Sequence, residues 1–88
     1  MKKEKTNPVL YAAYMEVVDN QLRDNDPPET RITFNRLKSE GFGGLDAKKL
    51  IAQVIVAETF WIMKKKENFN LKRFIKNLNR LPVEPKEN

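Results

Sequence analysis

The sequence predicts an all-α fold, a compact four-helix bundle. Apolar residues recur at three- and four-residue steps through four segments, residues that start or stop helices bound each segment, and strand-type alternation is absent from the 88 residues. The helices are expected at about 8–23, 28–40, 45–65 and 71–81. They form one domain over 7–81. Flexible tails are expected at 1–6 and 82–88, where "MKKEKT" and "PVEPKEN" contain almost nothing to bury.

The first helix should open with Asn7 as N-cap and Pro8 in the first helical position, where a missing N–H is harmless. Leu10, Tyr14, Val17, Val18 and Leu22 share one face, while Glu16, Asn20 and Arg23 fall on the other. In "RDNDPPE" the expected arrangement is Asp26 as cap, Pro27 and Pro28 in the first turn, and Glu29 reaching back as in a capping box. Thr30, Thr33, Phe34 and Leu37 then make a narrow apolar stripe, with Ile32 as a second contact. Gly41 suits a left-handed stop, and Phe42 fills a gap at the turn "GFGGLD". In the third helix Leu50, Ile51, Val54, Ile55, Phe60, Trp61 and Ile62 cover over half the circumference, so it should sit centrally. Asn70 caps the fourth helix, whose Leu71, Phe74, Ile75, Leu78 and Leu81 repeat at helical spacing before Pro82 closes it.

A chain with 40% apolar and 33% charged residues belongs with soluble globular domains, and one this short buries only roughly 60–65% of its unfolded surface. Without cysteine it has neither disulfides nor thiolate metal sites. The N-terminus lacks the apolar stretch of a signal peptide, and the apolar run 50–63, interrupted by Gln53 and Glu58, is too short to span a bilayer. A cytoplasmic protein without membrane contact is expected. Its net charge of +5, from 17 basic and 12 acidic side chains, permits an anionic partner but also serves plain solubility.

Lacking histidine and cysteine, the chain has neither the commonest general base nor a thiol nucleophile. No enzymatic activity, metal or cofactor is expected. Glu16 and Asp19 stand three residues apart, and Glu58 lies within the apolar stretch, where a buried carboxylate of raised pKa would act as an acid, although a partly exposed or hydrogen-bonded glutamate is the commoner case. "DNQLRDNDPPE" is rich in oxygen donors but lacks the spacing and glycine of a calcium loop. "FGGLD" lacks the strand and the lysine-serine/threonine ending of a phosphate loop.

Two binding surfaces remain. Phe60, Trp61, Met63 and Phe69 crowd one end, where a small bundle either buries them or leaves an apolar patch for a protein partner or a homodimer. Lys64, Lys65, Lys66, Lys72, Arg73, Lys76 and Arg80 gather around the junction of the third and fourth helices, with Asn77 and Asn79 beside them, and suit nucleic-acid phosphates. A solvated helix face and lysines meeting a helix dipole have the same pattern. The leading expectation is a non-catalytic protein-interaction module, with a nucleic-acid-binding module as its alternative. A helix-turn-helix fits poorly, since the third helix is the apolar centre instead of a free recognition helix.

The ordered set Asn7, Pro8, Leu10, then Gln21, Leu22, then Asp26, Pro27, Pro28, Glu29, then Arg36, Leu37, Gly41, Asp46 and Ala47 resembles a family of small bacterial all-helical proteins, the domain of unknown function numbered 1841. The resemblance covers about 7–81 and implies the fold more than a role. It also implies histidines at the positions of Tyr11, Met15 and Lys49 and a glutamate at Asp19, a set resembling metal ligands. This chain departs at each histidine, and Lys49 would place a positive charge beside a cation. The Tyr11, Met15 and Asp19 row is therefore expected to pack against Lys49 and the third helix as a structural seam.

Overall fold

The computed structural model describes residues 8–85. Four helices follow one another, α1 (Pro8–Asp24), α2 (Pro28–Ser39), α3 (Gly44–Lys65) and α4 (Leu71–Arg80), each end within one residue of expectation. No strand occurs among the described residues, and no helix there is long and apolar enough to cross a membrane. Asn7 and the expected tail 1–6 lie outside the described residues, as do 86–88 of the C-terminal tail. Beyond α4, the Val83 amide donates to the Arg80 carbonyl at 2.9 Å.

The first three helices end alike. A left-handed residue follows each, Asn25 (φ 52°), Gly41 (φ 105°) and Lys66 (φ 54°), and turns the next amide back onto the last turn. Asp26 donates to Gln21 at 3.1 Å, Phe42 to Leu37 at 3.1 Å and Glu67 to Ile62 at 3.2 Å, which satisfies carbonyls left without helical partners. Phe42 packs on the core beside its bond to Leu37, as expected.

The start of α2 differs from expectation. Pro27, extended at φ −78° and ψ 153°, is itself the N-cap, and no side chain caps the helix. Asp26 stands one residue too early to serve, and Pro28 takes the first helical position that suits a proline. At α4 the cap is as expected, with the Asn70 side-chain oxygen accepting from the Arg73 amide at 3.0 Å.

Helix α3 is central, but it shares that position with α2. Each packs on all three other helices, while α1 and α4 flank the pair without packing on one another among the described residues. Thr30 and Thr33, small and buried, let α2 approach closely, and the Thr30 hydroxyl donates to Gln21 Oε1 of α1 at 2.8 Å. Two arginines of α2 reach outward. Arg31 donates to the Leu22 carbonyl near the end of α1 at 2.9 Å, and Arg36 to the Leu78 carbonyl near the end of α4 at 3.1 Å. Both meet the negative ends of the flanking helices.

Val18, Leu22, Leu37, Ile51, Val54, Ile55, Phe74, Leu78 and Leu81 form the core. Leu10, Ile32 and Leu71, assigned to inner faces by spacing, are exposed. For Leu10 and Leu71, periodicity overextends the buried stripe at helix ends, and residues 8–13 of α1 are all exposed; Ile32 lies within α2 on its exposed face.

Candidate functional site

The last turn of α3 and one face of α4 build a cationic groove. Lys64 and Lys65 follow Trp61 by three and four residues, the offsets at which helical side chains meet. Their ammonium groups stand over the indole at 5.7 and 5.5 Å from its centroid, and the Arg73 guanidinium of α4 at 6.0 Å. Phe60 meets the ring edge-on, with centroids 5.5 Å apart and planes at 78°. Arg73, Lys76, Asn77 and Arg80 recur at helical spacing on α4 and, with Trp61, Lys65 and Glu67, enclose a groove of about 360 Å³.

Glu58 holds Arg73, which lines the groove, in place. Its side chain is buried, yet Oε2 accepts from the Asn70 amide and from Arg73, both at 2.8 Å, while Oε1 accepts from Arg73 Nε at 2.9 Å. Arg73 donates as well to Glu67 at 2.8 Å. Burial pushes the Glu58 carboxyl up, but the Arg73 bonds, the Asn70 amide and the Arg73 charge together outweigh it and hold the group below the usual glutamate range. Bonded first to Glu58 and then to Glu67, Arg73 holds its proton more tightly than a free arginine. Glu58 is thus the hydrogen-bonded glutamate that the sequence favours over a general acid.

This geometry divides the expected nucleic-acid set. Lys65, Lys76 and Arg80 line the groove without an ion-pair partner among the described residues, and Lys64 flanks it over the ring. Arg73 points its nitrogens at two carboxylates instead of at a ligand. Lys66 and Lys72 are exposed outside the groove lining.

The expected protein-contact set also divides. Phe60 and Trp61 are half-buried beside the cations, whereas Met63 is 72% and Phe69 51% exposed. Phe69 tilts against Phe74 with centroids 5.4 Å apart and borders a separate apolar groove of about 190 Å³ with Val17, Ile55, Thr59 and Ile62. No single aromatic patch results, because successive positions of α3 point to different sides.

On the opposite flank Tyr11, Tyr14, Lys49, Ala52, Gln53 and Val56 line a groove of about 240 Å³, and Met15 packs on the core. Asp19 pairs with Lys48 at 2.7 Å instead of approaching Lys49. These residues do not fit a metal: a phenol and an ammonium face the groove, and no group of three or more carboxylates among the described residues is placed to hold an ion.

The pairing of Glu58 with Arg73 was not legible in sequence, since the partners lie on different helices; a carboxylate inside an apolar run was the one signal. No family model, curated protein or solved structure matches this chain.

Proposed function

We propose that this chain is a non-catalytic binding module that takes an anionic partner in the Trp61 groove. The observation that carries this is the half-buried indole under Lys64 and Lys65, with Lys76 and Arg80 lining the same concavity. Cations gathered in one groove raise the local concentration of an anionic ligand. The non-catalytic reading is supported by the state of Glu58, whose carboxylate is buried, ionised and bonded on both oxygens. Binding of a polyanion should weaken steeply as salt rises, and Lys76→Ala and Arg80→Ala should each weaken it further. Failure of every polyanion to bind at low ionic strength would remove this function.

A second reading, protein contact by a second copy of the chain, rests on the exposure of Met63 and Phe69. Sedimentation across concentration tests it, and a monomer throughout excludes it. The cytoplasmic location and the resemblance to the domain numbered 1841 stay with this proposal. Tyr11 and Lys49, two of the positions where that resemblance implies histidine, do border one groove, which supports a shared layout.

A further inference from the structure

Resting on the groove reading above, we infer that the partner is single-stranded nucleic acid, with one base stacked on Trp61 and adjoining phosphates held by Lys65, Lys76 and Arg80. The indole is what separates this ligand from other polyanions. An aromatic face is electron-rich and attracts the cations now standing over it, so a carboxylate of an acidic peptide gains nothing there. A nucleobase presents a flat apolar face that stacks on the same ring, and stacking is the means by which single strands are held without sequence preference. When a base arrives, Lys64 and Lys65 swing on flexible stems from the ring to the phosphates. Phe60 against the indole edge and the Arg73 guanidinium, itself fixed by Glu58 and Glu67, keep the ring in place.

The remaining groove residues suit the same ligand. Lys76 and Arg80 stand four residues, about 6 Å, apart along α4, comparable to the separation of successive phosphates in an extended strand. Asn77 between them offers both a donor and an acceptor to a base edge. A duplex fits badly. Its bases show only their edges and offer no flat face to the indole.

Trp61 is the sole tryptophan, so its emission reports directly on the site. The intact chain is titrated with a short oligodeoxythymidylate, its duplex and polyglutamate, with affinity read by anisotropy of the labelled polymer. The oligonucleotide should quench Trp61, bind more tightly than duplex or polyglutamate, and lose affinity with salt. Lys76→Ala and Arg80→Ala should each lower the logarithmic salt slope by about 0.7. Trp61→Leu should weaken binding about tenfold at unchanged slope, and Trp61→Tyr, which keeps a stacking ring and checks for folding damage, should restore most of it. Lys72→Ala, outside the groove lining, should change neither affinity nor slope by as much as the groove variants. Polyglutamate or duplex binding as tightly as the oligonucleotide, or binding that leaves Trp61 emission unchanged, overturns the single-strand assignment while the polyanion groove stands. No polyanion binding at low ionic strength defeats both.

Discussion

Helices α1 and α4 flank the same central pair, yet they are held in opposite ways. The ten residues of α4 bury Phe74 and Leu78, with Leu81 just beyond, and the Asn70 amide at its start is bonded to the buried Glu58. The seventeen residues of α1 bury only Val18 and Leu22, and its ion pair to α3, Asp19 with Lys48, lies at the surface. Isolated helices shorter than about 12–15 residues are marginal in water, so the ten-residue α4 depends more on its anchoring than the longer α1 does. The candidate site lies on the anchored flank, where fixed side chains hold a groove in shape.

Removing the carboxylate from each flank is the strongest way to break this contrast. Glu58→Ala strands the Asn70 amide, leaves Arg73 with Glu67 alone, and should cost about 3 kcal/mol, with a fall in Tm on the order of 15 °C. Asp19→Ala removes a pair whose carboxylate side chain is 54% exposed and should cost less than about 1 kcal/mol. Equal losses in denaturant unfolding would mean that the buried network does not distinguish the flanks. Replacing Glu58 and Arg73 together by leucine should recover part of the loss, since the only charge then left without its partner is Glu67, whose side chain is 41% exposed.

Acid sharpens the same comparison. Because the folded Glu58 carboxyl lies below its unfolded value, the unfolded chain binds the extra proton once pH falls below the usual glutamate range, roughly 4.3. The stabilisation from Glu58 is therefore present above that range and is lost as pH falls through the folded value. Glu58→Gln should flatten the acid limb of the stability profile, and an unchanged limb would show that Glu58 is not the group lost there.

Much of the fold was legible because local signals agreed with one another. The three- and four-residue spacing located all four helices, and Gly41 and Asn70 marked their ends by the chemistry of glycine and asparagine. Lys66 shows where such reading stops, for a lysine in a left-handed turn carries no local mark of it. The groove was half legible. The basic run and the aromatics were visible as two rival surfaces; Lys64 and Lys65 meet Trp61 within α3, and only the packing of α4 on α3 adds Arg73 over the ring and Lys76 and Arg80 beside it. That Arg73 is bonded to Glu58 was hidden, because this partner lies fifteen residues away on α3.

The arginines of α2 give the next test. Arg36, partly buried, donates to α4, and Arg31, exposed, donates to α1. Arg36→Ala should cost about 1–2 kcal/mol and Arg31→Ala under about 1, since a charge-assisted bond counts for more where water competes less. Amide exchange should then speed up at the end of α4 in the first variant and at the end of α1 in the second. Acceleration spread evenly over both helices would show that α2 acts through general packing instead of through these two bonds.

The smallest effect is a gain. Lys66 holds the left-handed turn between α3 and α4, while Asn25 holds the corresponding turn after α1. A Cβ in that conformation costs about 1–2 kcal/mol, less for asparagine, whose short side chain bonds locally. Glycine removes the strain but adds unfolded-state freedom of about 0.4–1 kcal/mol. Lys66→Gly should therefore stabilise by about 0.5–1 kcal/mol, and Asn25→Gly by a few tenths or nothing. If Lys66→Gly instead destabilises in denaturant unfolding, the lysine contributes more than its backbone strain removes, and the ties of Glu58 and Glu67 to Arg73 are not what holds that turn. Because Lys66 lies outside the groove lining, its replacement should leave the groove's shape intact, which makes Lys66→Gly a stabilised background in which the Glu58 and Trp61 variants can be compared while folded.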